Sequence, residues 1–191
     1  MRIVLTGGPH SGKSTLIDAL ARRGMKTVPE AALLEIEAMV ADHGADEARR
    51  IRRADTRAFQ VAVSRRQAQL EASMGRLAGP VFFDRGMIDG LAYCHHYDFE
   101  VPAELERLAS DARYDLCVVC SLVVPFTLRA ATGRTSDETA ARRLEQLITE
   151  AYRERAIPVV HLPLVPLPQR LERLLEIVES VTSGASPSPV S

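Results

Sequence analysis

The sequence predicts an α/β protein whose parallel sheet is covered by helices on both faces. Two observations carry this expectation. Short apolar runs alternate with segments of helical periodicity, and a glycine-rich turn joins the first apolar run to the first helix. The 191 residues suffice for one well-cored domain, which is expected over 1–183, with the small-polar GASPSPVS of 184–191 as a disordered tail.

Residues 2–6 (RIVLT) read as a short buried strand, and GGPHSG then interrupts regular structure. From Lys13 to Arg23 the apolar Leu16, Ala19 and Leu20 share one helical face, and Gly24 suits the position just past the helix end. Lys26–Pro29 reads as a second strand, and residues 30–42 are helical in pattern. After the His43-Gly44 break one long helix is expected from about Asp46 to Leu77, with Phe59, Val63, Leu70 and Leu77 in its apolar stripe. VFFD at 81–84 is a third strand closing on an acid, followed by a helix through Tyr97. A helix near Pro102–Ala112 precedes a fourth, β-rich strand over Asp115–Val124. Thr135 and Glu138 form a capping box opening a helix with Ala140, Leu144, Leu147, Ile148 and Ala151 on one face. Pro158–Pro163 is the fifth strand, and Leu171, Leu174, Leu175 and Val178 mark a final amphipathic helix. Parallel strands with right-handed crossovers gather ligands at their carboxyl ends. The tips expected there are Gly7–Lys13, Glu30, Asp84-Arg85, Pro125–Thr135 and Leu162–Pro166.

A net charge of −1 with 26% charged residues gives no general attraction to nucleic acid, and no nucleic-acid partner is expected. The N-terminal apolar run is too short for a signal peptide, and no apolar stretch is long enough for a membrane span, so a cytoplasmic protein is expected. The 3 cysteines are then reduced thiols. Cys117 and Cys120, three apart in a strand, face opposite sides and read as core. Cys94-His95-His96 lacks a second cluster at zinc-like spacing. The absence of Asn excludes the Asn-Lys-x-Asp element that reads guanine in many GTPases.

Gly7-Gly8-Pro9-His10-Ser11-Gly12-Lys13-Ser14 fits G-x-x-x-x-G-K-[ST], in the strand-to-helix context that a phosphate-binding loop requires. Its glycines let backbone N–H groups turn toward phosphate oxygens, and the helix adds its positive end. The expected cradle is Gly8, Pro9, His10, Ser11, Gly12, Lys13, Ser14 and Thr15, with only the backbone N–H of His10 required. Lys13 would reach the β- and γ-phosphates of ATP (or GTP), and Ser14 would ligate Mg²⁺. Since 22 of the 24 basic residues are Arg, a Lys here indicates that a compact ammonium is needed.

Asp84, at the end of VFFD, is placed to face Mg²⁺ or its waters, and Arg85 beside it to hold a phosphate or orient a neighbour. Glu30, at another strand end, reads either as a partner for a substrate hydroxyl or as a first-turn acid favoured by the helix dipole. Arg129 and Arg134 bracket RAATGRT, a segment suited to close over the nucleotide and neutralise charge on a transferred phosphoryl group. Arg49, Arg50, Arg52, Arg53 and Arg57 form a basic run that reads first as a solvated face, with an anionic substrate or acidic lipid as the sharper reading.

Together, RIVLTGGPHSGKSTL, VPEAA, VFFDRGMIDGLAY and RTSDETAARRLEQLITEAY resemble the predicted ATPase/kinase family related to the nicotinamide riboside kinase domain. That family belongs to the nucleoside and nucleotide kinase branch of P-loop proteins. The resemblance implies a five-stranded parallel sheet ordered 2-3-1-4-5, Lys13 and Ser14 at the triphosphate and metal, Asp84 near the metal or acceptor, and Arg129 and Arg134 in a lid. The expected function is that of an ATP-dependent small-molecule kinase acting on a hydroxyl of a nucleoside-like acceptor, with Asp84 or Glu30 orienting that hydroxyl. The alternative is a regulatory nucleotide-binding module controlling association with a protein or acidic lipid.

Overall fold

The computed structural model describes residues 1–9, 11–75, 79–121 and 138–183. Five parallel strands, β1 (Arg2–Thr6), β2 (Lys26–Val28), β3 (Val81–Asp84), β4 (Leu116–Cys120) and β5 (Val159–Leu162), form one sheet in the order β2-β3-β1-β4-β5. The register brings Leu5 beside Asp84 and Thr6 beside Val119, so the tips of the three central strands end at a common edge.

The apolar runs are continuous because both faces of the sheet are covered. On one face Ile3, Leu5, Phe82 and Val118 pack with Leu16 and Leu20 of α1 (Lys13–Arg22) and with Leu171, Leu174 and Ile177 of α8 (Leu167–Thr182). On the other, Val4, Phe83 and Val119 meet Leu91 of α5 (Asp89–His96), Leu105 of α6 (Ala103–Asp111), and Ile148 and Tyr152 of α7 (Glu138–Glu154). Cys117 joins the second cluster and Cys120 the first, so the two thiols do face opposite sides of β4. Among the described residues no helix is long and apolar enough to cross a membrane.

The long helix expected from Asp46 to Leu77 is two helices. After α2 (Ala31–His43) the chain forms α3 (Ala45–Ala54), breaks at Asp55, and resumes as α4 (Thr56–Ser73). Asp55 adopts φ −138° and its carboxylate accepts a 2.8 Å hydrogen bond from the Ala58 N–H, capping α4. The stripe also differs. The buried residues of α4 are Gln60, Ser64 and Gln67, whereas Phe59, Val63 and Leu70 are half-buried. Leu77, the capping Thr135, residues 122–124 of the expected fourth strand and the 184–191 segment lie outside the described residues.

Candidate functional site

Gly7 leaves β1 at φ 130°, and a Cβ there would stand 2.5 Å from the Cys120 carbonyl oxygen, so the loop lies against the end of β4. Gly12 caps α1 at φ 75°, the left-handed region that glycine enters without steric penalty. Between them the Lys13 ammonium, 4% exposed, donates to the carbonyls of Gly7 (3.2 Å) and Gly8 (2.9 Å) and to Ser11 Oγ (3.0 Å). Burial chiefly, then the nearby Arg85 charge, lowers its pKa to about 8, against the opposing pull of Glu30 and Asp84. Gly8, Pro9 and Ser11 are buried in the loop, whereas Thr15 is exposed on the first turn of α1; His10 lies outside the described residues.

Ser14 Oγ donates to Asp84 Oδ2 at 3.0 Å, joining the start of α1 to the tip of β3. The other oxygen of that carboxylate, Oδ1, is buried without a hydrogen-bond partner among the described residues. Burial first, and the charge of Glu30 next, push the Asp84 carboxyl above its usual range, while Lys13, Arg85 and the Ser14 hydroxyl pull it back. A hydroxyl and a carboxylate with an unused buried oxygen suit Mg²⁺, a hard cation. Among the described residues no group of three or more His, Cys, Asp or Glu could hold a metal, which includes Cys94-His95-His96. Around such an ion the remaining positions would be open to phosphate oxygens and water.

Arg85 sits at φ 69°, an uncommon conformation for a non-glycine residue. Its guanidinium explains what holds it there. Nε donates to Glu30 Oε1 (3.2 Å), and Nη1 donates to the Gly7 carbonyl (3.1 Å) and to Asp89 Oδ1 (3.1 Å). Glu30 therefore caps the start of α2 by position, makes no side-chain capping bond, and points instead to Arg85. Asp89 also accepts from the Gly86 N–H (3.1 Å), the Tyr152 hydroxyl (2.8 Å) and the Thr6 hydroxyl. One carboxylate thus ties β1, the β3–α5 turn and α7 to the arginine.

Glu30, Arg85 and Asp89 also line a cavity of about 330 Å³. Its walls come from the first turns of α2 and α4, the end of α3, and α5, with Phe59, Tyr93 and Tyr97 as aromatic surfaces and Gln60, Ser64 and Gln67 as polar ones. Pro9 of the phosphate loop reaches it as well.

Glu30, Lys13, Ser14, Asp84 and Arg85 thus come together as the strand topology requires, while Arg129 and Arg134 lie outside the described residues. The basic run divides: Arg49 and Arg50 pair with Asp46 and Glu47 of their own helix, whereas Arg52 and Arg53 line the cavity. Sequence reasoning missed Asp89, Tyr152 and Arg170. Arg170, on α8, is 4% exposed and donates from Nη1 to the Ser11 carbonyl at 2.6 Å. Only the spacing Asp84-Arg85-x-x-x-Asp89, which lets an acid face back on the arginine one helical turn later, signalled any of the three.

The strand order, and a lysine-bearing glycine loop facing the acid that ends the neighbouring strand, are those of P-loop proteins. The chain belongs to the AAA domain family, whose profile matches residues 2–170. No curated protein matches it. Among solved structures it is similar to deoxyadenosine kinase from M. mycoides, described with products dCMP and dCDP, at a TM-score of 0.63 and 14% identity over 94% of this chain and 100% of that one. It is also similar to thymidylate kinase from Candida albicans, with a TM-score of 0.60 and 15% identity over 100% of this chain and 96% of that one. NadR in complex with NR superposes with a TM-score of 0.61 and 20% identity, covering 100% of this chain and 51% of that one. At these identities the likeness is one of fold.

Proposed function

We propose that the protein is a Mg²⁺-dependent kinase that transfers the γ-phosphoryl group of ATP to a hydroxyl of a small molecule. The observation that carries this reading is a shared wall. Arg85 bonds the Gly7 carbonyl of the phosphate loop and also lines the cavity beside Glu30, so a triphosphate and an acceptor would meet across it. Kinases whose solved structures resemble this chain act on nucleosides or nucleotides by their names, which supports a nucleoside-like acceptor.

In this reading the loop of Gly8–Thr15 holds the triphosphate, and Lys13 turns from the loop carbonyls to the β- and γ-phosphates. Ser14 and Asp84 hold Mg²⁺ or its waters. When bound, the ion supplies positive charge to the phosphate oxygens during transfer. Asp84 or Glu30 accepts a hydrogen bond from the acceptor hydroxyl, and Arg85 keeps the Glu30 carboxylate in place. Arg129 and Arg134 would close over the reacting phosphate and exclude water. Chemistry of this kind rests on positioning and charge rather than on a covalent intermediate.

The test is phosphoryl transfer from γ-labelled ATP and Mg²⁺ to a library of nucleosides and small alcohols, with wild type beside Asp84→Ala. A labelled product whose rate falls on the order of 10²-fold or more in the variant is expected. Tight nucleotide binding with no transfer to any member would replace this reading by the regulatory nucleotide-binding module.

A further inference from the structure

Two arginines are buried against the phosphate loop. Arg85 donates to the Gly7 carbonyl where the loop leaves β1, and Arg170 Nη1 donates to the Ser11 carbonyl (2.6 Å) where the loop enters α1. Their charges are treated differently. Arg85 is paired with Glu30 and Asp89, whereas Arg170, 4% exposed, forms no ion pair among the described residues. Its Nη2 reaches the Ser121 carbonyl at 3.5 Å, and its Nε is buried without a hydrogen-bond partner. Arg170 also lies near the positive ends of two helices. It stands early in α8, whose first turn holds no acid, and its Nη1 is 3.0 Å from where a Cβ of Gly12, the N-cap of α1, would be. A buried cation in such a place is unfavourable unless an anion answers it.

The Ser11 contact also fixes a direction. Peptide units are planar and trans, so a carbonyl aimed at Arg170 turns the Gly12 N–H to the opposite side, away from α8. The loop is thereby tied twice to the end of β4. Gly7 lies directly against the Cys120 carbonyl, and Arg170 spans from Ser11 to Ser121.

Resting on the reading of this loop as a triphosphate site, we propose that Arg170 is a positioning residue for the nucleotide. It holds the Ser11–Gly12 peptide with its N–H turned to the phosphates, and its charge, unpaired in the protein, is answered by theirs across the loop. A neutral donor would suffice to brace the Ser11 carbonyl. The guanidinium adds a positive field that is useful only when an anion is bound.

The experiment titrates ATP and ADP, each with Mg²⁺, into wild type, Arg170→Lys and Arg170→Gln, with urea unfolding of each protein free of nucleotide. Lys keeps the charge and a donor, whereas Gln keeps a donor and loses the charge. For Arg170→Gln a loss of roughly 10- to 100-fold in affinity for both nucleotides is expected. For Arg170→Lys the expected loss is smaller, roughly 3- to 10-fold. Unfolding is expected not to follow that order: Gln removes an unpaired buried charge, so it resists urea at least as well as Lys. Affinity within about twofold of wild type in Arg170→Gln, or affinities that fall in step with stability with Lys no better than Gln, overturns the proposal. If Arg170→Gln does not fold, the smaller loss in Arg170→Lys upholds the proposal and an unchanged affinity overturns it. If wild type binds neither nucleotide, the triphosphate reading is what fails, and Arg170 is then decided by calorimetric titration of inorganic pyrophosphate with Mg²⁺. Heat in wild type that is lost in Arg170→Gln upholds its role toward an anion, and no heat in wild type, or heat undiminished in the variant, overturns it.

Discussion

At Lys13 two demands meet. The ammonium is buried among carbonyls beside Arg85, which lowers its pKa to about 8, yet a triphosphate needs it charged. The sign follows from linkage: between pH 8 and the ordinary value of 10.5 the unfolded chain holds a proton that the folded chain has released, so this residue alone makes stability rise with pH across that window. Bound triphosphate reverses the preference by pairing with the charge. We therefore expect nucleotide affinity to weaken as pH rises through about 8, with proton uptake on binding in that range. Calorimetry in two buffers of different ionisation enthalpy reads this directly, and an affinity that is flat across the window would remove Lys13 from the phosphate site. Arg85 shows a second residue-scale constraint, since its φ of 69° persists against steric cost because Glu30, Gly7 and Asp89 hold the side chain. For Asp89→Asn we expect a loss of roughly 3 kcal/mol, from leaving part of a buried charge uncompensated, measured by denaturant unfolding. In the proposed reading phosphoryl transfer should fall more than nucleotide affinity, because Asp89 holds Arg85, which in turn holds Glu30 beside the cavity.

Among the elements, the β3–α5 turn and α4 are the most informative. Gly86 needs no unusual φ but has no room: a Cβ would stand 2.6 Å from the Tyr152 hydroxyl and 2.9 Å from Tyr114 Cζ. Both rings are buried, and the Tyr152 hydroxyl is already engaged by Asp89. Gly86→Ala is expected to cost about 1–3 kcal/mol by overpacking, read from thermal or urea unfolding, and a neutral result would mean that α7 can shift away from the turn. This turn was half legible in the sequence. Asp84 and Arg85 stand at the end of an apolar strand, where the topology alone predicts ligands, but Tyr152 lies 63 positions beyond Asp89 and no local pattern joins them. In α4 hydrophobic periodicity misled, because it assumes that the apolar stripe is the buried one. Here the cavity takes the polar stripe, a local conflict of the kind functional sites retain. The break at Asp55 was missed for a simpler reason: no Gly or Pro interrupts residues 45–74, and only the capping chemistry of Asp before Thr56 marks the new helix.

For the whole molecule, one sheet explains why residues far apart in sequence converge. The order β2-β3-β1-β4-β5 sets the tips of β1, β2 and β3 side by side, which brings Glu30, Lys13 and Asp84 to one edge without any further device. That much could be read from alternating elements and the glycine loop. Arg170 could not, because α8 returns under the loop only once the sheet has placed β5 at the far edge. Binding of a triphosphate together with Mg²⁺ at this edge, through Lys13, Ser14 and Asp84, is what the proposed function requires. It is tested most directly by titrating ATP into the protein with and without Mg²⁺, in wild type and in Asp84→Asn, with circular dichroism confirming that the variant is folded. Mg²⁺ is expected to tighten ATP binding to wild type by about tenfold or more, with most of this gain lost in Asp84→Asn. Affinity that is indifferent to Mg²⁺ in wild type, or a Mg²⁺ gain undiminished in the variant, would contradict it.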